Sequence, residues 1–483
     1  MRGQNIRASH KLGISFASLP AWFGVVCLLL AATAASSATD TFTTRVNFNS
    51  TNGASPYYGS LVQGTDGDLY GTTQSGGTSH AGTIFKMTPS GTLTTIYNFA
   101  ITDGAYPVAG LVLANNGKFF YGTTEFGGDL SCTAGVGCGT VFKIDSAGTL
   151  TTLVTLHGSG VPGGAFPTGA LVEGTDGEFY GTTLGTTNGF SSGGFGSVFK
   201  ITSVGTLTVL HTFHGSDGEY PAAGLIQGTD GKFYGTTEEG GAHGDGTVFQ
   251  ITSAGTLKRL YSFAGTDGKH PYAALVQAAD GNFYGTTKEG GANGLGTVFQ
   301  ITSAGTLTTL YSFAGTDGEY PYAPLVQGTD GNFYGTTYKG GNDHLGTIFE
   351  ITSGGTLTTL HNFVGPDGAY LYGGLVQRTA GGFYGMTNGG GSTGAGTVFS
   401  LAIGLGPFVK TLPTSGAVGS SVIILGTDLT GATSVTFSGT TAMFIVVSSS
   451  EIMTTVPVGA TTGSVVVTTP SATLTSNVNF TVP

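Results

Sequence analysis

Short apolar runs alternate with Gly-rich turns along the chain, and within the runs the pattern has a period of two. Between Leu307 and Phe313, the residues Leu307, Thr309, Tyr311 and Phe313 fall on one side of an extended strand, and Thr308, Leu310 and Ser312 on the other. Three further runs precede this one: Leu275-Val-Gln277, Asn282-Phe-Tyr-Gly-Thr-Thr287 and Gly296-Thr-Val-Phe-Gln-Ile-Thr302. Asp280-Gly281 joins the first to the second, a strong hairpin signal because Gly accepts positive φ. A longer Gly-rich loop joins the second to the third, and Ser303-Ala-Gly-Thr306 turns the chain into the fourth. The pattern predicts four strands in roughly 50 residues, which is the content of one propeller blade.

The unit recurs. Tyr-Gly-Thr-Thr begins at Tyr70, Tyr121, Tyr180, Tyr234, Tyr284 and Tyr334, and a variant, Tyr-Gly-Met-Thr, at Tyr384. A Val-Phe or Ile-Phe pair follows each, ending at Phe85, Phe142, Phe199, Phe249, Phe299, Phe349 and Phe399. The ends of the array complement each other. Thr41-Phe-Thr-Thr-Arg-Val-Asn-Phe48 copies the fourth-strand pattern but precedes the first unit, whereas the unit starting at Leu375 stops near Ala402 without a fourth strand. The expected fold is all-β: a seven-bladed β-propeller over residues 41–403, closed by the N-terminal strand. A parallel β-helix needs shorter, more regular coils and ranks below it.

Composition agrees with this class. Gly contributes 87 of 483 residues and charged residues only 9%, yet β-favouring residues are too plentiful for a disordered chain. The net charge is −11 with no cluster of Lys and Arg, which excludes a nucleic-acid partner. Residues 1–38 read as a signal peptide: Arg2, Arg7 and Lys11, then the apolar run Phe23–Ala32, then small residues with cleavage after Ala34 or Ala38. The run is short for a membrane span, and no transmembrane segment is expected in the mature, monomeric chain. Losing those three cations makes the net charge −14. An exported chain meets an oxidising compartment, so Cys132 and Cys138, six residues apart in one loop, are expected to pair.

The recurring Gly-Thr-Asp-Gly-x-Phe-Tyr-Gly-Thr-Thr…Gly-Thr-Val-Phe-x-Ile-Thr pattern resembles the Gloeo/Verruco tandem repeat of exported bacterial proteins, over about residues 41–403. The resemblance implies an extracellular or cell-surface location and this architecture, not an activity. After Leu405-Gly-Pro407 the rhythm changes. Residues 404–483 carry short Val, Ile and Thr runs at 421–425, 434–437, 442–447, 463–468 and 479–482, which predict a small sandwich. Pro413-Thr-Ser-Gly416, Gly419-Ser-Ser-Val-Ile-Ile-Leu-Gly426 and Phe480-Thr-Val-Pro483 are similar to an IPT/TIG domain of immunoglobulin-like fold. Some members of that family bind DNA through basic loops. Lys410 is the only basic residue in this segment, so that role does not transfer, and a spacer or docking module fits better.

No catalytic signature occurs: no Gly-x-Ser-x-Gly, no His-Glu-x-x-His and no phosphate loop. His211 and His361 take a fourth-strand position held elsewhere by Tyr97, Val154, Tyr261 and Tyr311, and so read as packing residues. Asp66, Asp176, Asp230, Asp280 and Asp330 read as turn residues. Asp103, Asp217, Asp267, Asp317 and Asp367 lie between units, one per unit. One carboxylate per unit does not show the converging oxygens calcium needs, so turn capping is the favoured reading, calcium is the alternative, and no other metal or cofactor is expected.

Loops joining strand two to three, and strand four to the next unit, share one face. Their variable members, Glu238, Glu239, His243, Lys288, Glu289, Tyr338, Lys339 and His344, are the candidate binding residues. The only Trp, Trp22, lies in the signal segment, so sugar stacking would fall to Tyr272, Tyr320, Tyr322 and Tyr338. The reading is an exported, non-catalytic interaction scaffold for protein or cell-envelope polysaccharide. A carbohydrate-active hydrolase or lyase on a propeller, and a purely structural surface protein, are the alternatives.

Overall fold

The computed structural model describes residues 40–132, 135–157, 164–185 and 194–483. The signal segment lies outside the described residues. Among them, strands form nine four-stranded sheets, seven from the repeat and two from the C-terminal segment. The first sheet orders Val62–Gln63, Leu69–Thr73, Thr83–Met87 and Leu93–Asn98, all antiparallel, and the next five follow the same plan. The last takes three strands from Val376–Ala402 and its outer strand from Thr41–Asn47, which pairs antiparallel with Thr397–Ala402.

Aromatic side chains join successive sheets. The tyrosine of each Tyr-Gly-Thr-Thr stacks on a Phe of the following sheet, as in Tyr180 on Phe233 (3.8 Å) and Tyr284 on Phe333 (4.1 Å). In five of these six units, the exception being Tyr121, whose turn carries Asn116, the hydroxyl donates to the aspartate of its own hairpin turn, 2.6 Å from Tyr180 to Asp176 and 2.8 Å from Tyr284 to Asp280. The other oxygen of that carboxylate accepts the backbone N–H two residues on. The turn aspartates are thus occupied as turn chemistry demands. A glutamine stitches neighbours as well: half-buried Gln327 accepts from the N–H of Ala279, and buried Gln63 of the first sheet accepts from the N–H of Thr379 of the last.

The outer strands depart from strict alternation. Val298 pairs with Tyr311 but Phe299 with Thr309, leaving Leu310 as the extra residue of a bulge. The same shift recurs in all seven repeat sheets. Its purpose is visible next door. The bulge carbonyl of Leu260 approaches Gly305 of the following sheet so closely that a Cβ there would lie 2.6 Å from the oxygen, and Gly305 has φ +100°. Only glycine meets both conditions.

Sheets Lys410–Leu412, Ser421–Leu425, Glu451–Thr455, Phe444–Val446 and Thr440–Thr441, Ser434–Phe437, Val465–Thr468, Thr473–Thr475 form the C-terminal unit. Val409, Ile424, Val435, Phe437, Ile452, Val467 and Phe480 fill its core. Residues 479–482, expected as a strand, make only isolated bridges at Phe480 and Thr481. Glu451–Thr455 escaped the sequence reading because Thr454 shares the inward side with Ile452 and blurs the apolar alternation. Cys132 and Cys138 are joined, their Cα atoms 5.7 Å apart. Among the described residues, no helix is long and apolar enough to cross a membrane.

Candidate functional site

The innermost strands surround an axial cavity of about 390 Å³, walled by residues such as Leu61, Leu111, Leu171 and Leu225. Its two ends differ. At one end lie Lys410, Leu412 and Leu425 of the C-terminal unit. That unit sits on the face of the first hairpin turns: Ser450 Oγ donates to Thr65 O (2.7 Å), Phe408 N to Thr379 O (2.9 Å) and Lys410 Nζ to Gln377 O (2.6 Å). Burial and the like charge of Arg378 hold the Lys410 ammonium down to about 8.

At the other end lie Tyr58, Tyr272 and Tyr322, under the variable loops. The segment linking one sheet to the next pairs there with the loop after strand two, through bridges Glu219–Glu239, Lys269–Glu289 and Glu319–Lys339. Two positions of the repeat meet at this mouth. The residue after the inter-sheet proline is Tyr57, Val108, Thr168, Ala222, Tyr272 and Tyr322 in the first six units, and Tyr372 stands at the equivalent place, after Leu371, in the last. Four tyrosines therefore occupy one arc and three smaller residues the other. The residue after Tyr-Gly-Thr-Thr is Gln74, Glu125, Leu184, Glu238, Lys288, Tyr338 and, in the last unit, Asn388.

Tyr58 breaks the symmetry further, because the other units carry Ala or Gly at its position. Its ring lies 4.1 Å from Tyr57, 4.8 Å from Tyr272 and 5.5 Å from Tyr372, and its hydroxyl donates to Tyr57 (3.3 Å). Tyr338 extends the arc, 4.5 Å from Tyr372 and 5.6 Å from Tyr322. Lys288 stands over the Tyr322 ring at 5.2 Å. Burial pushes the Tyr58 and Tyr272 hydroxyls far above the ordinary range.

Two carboxylates share this setting. Burial pushes Glu125 up to about 7. Burial also raises Glu238, against the opposing charges of Lys288 and His270. Both act on the Tyr272 hydroxyl electrostatically.

Of the residues singled out from sequence, Glu238, Lys288 and Tyr338 gather at this mouth. Glu239, Glu289 and Lys339 stand one position outward and contribute the backbone bridges. His243 and His344 are exposed, with His344 Nδ1 3.8 Å from Glu319 Oε1. Tyr320 pairs through its backbone N–H with Leu295 and is not among the residues of the tyrosine arc. Tyr57, Tyr58, Tyr372 and Glu125 were not singled out. The signal for them was present in the variation of one repeat position from unit to unit.

Comparison with known proteins agrees with the architecture. The extracellular domain of a protein assigned as a hybrid two-component system from B. thetaiotaomicron is similar at 12% identity and TM-score 0.50, over 81% of this chain and 46% of that one. This chain therefore spans less than half of that structure, and at such identity the likeness concerns the fold. A Bacteroides fragilis protein assigned as a 6-phosphogluconolactonase is similar at 22% identity and TM-score 0.42, over 62% of this chain and 82% of that one. No curated protein matches the sequence. The IPT/TIG domain model matches residues 408–482, and the Gloeobacter/Verrucomicrobia repeat model matches residues 33–229 and 184–399. More than half of the chain is matched by the latter, and the chain belongs to the Gloeobacter/Verrucomicrobia repeat family.

Proposed function

We propose that the chain is an exported, non-catalytic scaffold that binds a cell-envelope polysaccharide, or a protein, through the tyrosine-lined mouth and the variable loops around it. One observation carries this reading: Tyr57, Tyr272, Tyr322 and Tyr372 line one arc of the mouth while Val108, Thr168 and Ala222 leave the other arc low. Flat aromatic walls beside a recess suit stacking against sugar rings, with Glu238 and Lys288 as polar contacts. The polysaccharide is the favoured partner of the two. In a retention assay on immobilised envelope polysaccharide and envelope protein fractions, the wild type is retained by the polysaccharide. Tyr322→Ala and Ala222→Tyr weaken retention tenfold or more with the melting temperature little changed. Retention equal to wild type in both variants defeats the reading, and retention on protein alone reassigns the partner. Export is tested by the N-terminus of the secreted protein, expected at residue 35 or 39.

A second reading rests on Glu125. A carboxyl held to about 7 is suited to donate a proton near neutral pH, as a hydrolase or lyase requires. A glycan panel with product detection decides it: turnover by wild type that Glu125→Gln abolishes would make the protein an enzyme.

A further inference from the structure

Outside the mouth, one side-chain cluster breaks the repeat in a way that turn chemistry does not use. In most units the fourth strand ends with a Tyr or His that donates to an aspartate six residues on: Tyr97 to Asp103 (2.6 Å), His211 with Asp217 (2.8 Å) and His361 with Asp367 (2.9 Å). The other carboxylate oxygen caps the turn by accepting a backbone N–H, from Ala100, His214 and Val364 in those three units. The residue donating that N–H is Ala100, Ala264, Ala314 or Val364 in four units, with side chains that cannot ligate. In one unit it is His214. Ligand atoms of His211, His214 and Asp217 lie within 4.8 Å of one another, and the two imidazole rings are 6.2 Å apart between centroids.

We propose that His211, His214 and Asp217 form a binding site for a divalent transition-metal ion of the Zn²⁺ class. Two imidazoles and one carboxylate are the donor set such ions prefer over calcium or magnesium. The ion takes the place of the proton between His211 Nε2 and Asp217 Oδ2, and His211 then carries its proton on Nδ1. Asp217 Oδ1 keeps its hydrogen bond to the His214 backbone, so the turn survives metal binding. His214 is exposed and His211 half-buried, which leaves a fourth coordination position open to solvent or to a partner's side chain. The site lies on the connection that leads toward Glu219 and Glu239, and so on the face of the variable loops.

The repeat supplies its own control, because the unit with His361 and Asp367 holds the same pair but has Val364 at the third position. The test is calorimetric titration of the chelator-treated, full mature protein with Zn²⁺ alone. Wild type is expected to bind one equivalent. His214→Val, which makes the site match its neighbour, is expected to lower affinity tenfold or more with the melting temperature of the metal-free protein unchanged. Val364→His is expected to bind a second equivalent. Failure of wild type to bind, binding by His214→Val as tight as by wild type, or a single equivalent in Val364→His overturns the proposal.

Discussion

The ring of Phe48 packs edge-on against Phe85, centroids 5.4 Å apart, as Phe99 packs against Phe142 at 5.4 Å and Phe363 against Phe399 at 5.5 Å. Phe48 directly follows the strand Thr41–Asn47, and Phe85 belongs to the first sheet, so this pair joins the two ends of the array as the others join its middle.

The equivalence predicts equal energetic weight. Phe48 and Phe99 are both fully buried, and truncating such a ring costs about 3–5 kcal/mol. Phe48→Ala and Phe99→Ala should lower stability by similar amounts in denaturant unfolding, and deletion of residues 41–48 by more. An unchanged midpoint for Phe48→Ala would show that the first strand does not complete the last sheet.

The glycine that faces a bulge carbonyl in six of the seven cases predicts a sharp contrast. Gly305 has φ +100° and no room for a Cβ beside Leu260 O, whereas Gly294 has φ +76° with nothing within 4 Å. Gly294→Ala should cost about 1 kcal/mol from conformation alone. Gly305→Ala should cost more, on the order of 2–3 kcal/mol, because steric conflict with backbone adds to strain. Thermal unfolding of the two variants measures the difference.

Glu125 predicts a pH dependence. Its folded-state value, about 7, lies above the ordinary 4.5, so the folded protein binds a proton that the unfolded chain has released between those values. This carboxyl therefore lowers stability as pH rises from 4.5 to 7, and the loss then levels off. Glu125→Gln should flatten that part of the curve and gain on the order of 2 kcal/mol at pH 8, partial exposure allowed for. Urea melts across the window test it.

Lys410 predicts the opposite slope at high pH. Its folded value of about 8 lies below the ordinary 10.5, so the unfolded chain binds more protons between them and stability rises with pH across that interval. Lys410→Met should remove the rise while keeping the apolar stem packed. A variant that retains the wild-type slope from pH 8 to 10.5 would show that the ammonium is not confined beneath the cavity.

The repeat unit, its four strands and the partner of the first strand were legible because each is written in local pattern. The bulge was not, because the run Leu307–Phe313 reads as an unbroken strand and the displacement of Leu310 answers to Gly355 in another unit. The mouth was half legible. Glu238, Lys288 and Tyr338 stood out as variable, but Glu125 and Tyr57 come from units far away in the chain and share with Glu238 only an electrostatic influence on the Tyr272 hydroxyl. Lys410 shows the same limit. Sequence correctly set it apart as the lone base of its segment, and only the packing reveals that it faces a cavity rather than a groove of nucleic acid.

The pairing of Arg45 with Ser400 across 355 residues also dictates a timetable. The strand Thr41–Asn47 has no permanent neighbour until the sheet it completes has formed, from residues some six units further along the chain. Until then its polar backbone edge is available to any other chain, so assembly should be slow and sensitive to concentration. The latch, once seated, ties late residues to early ones and makes unfolding a cooperative event.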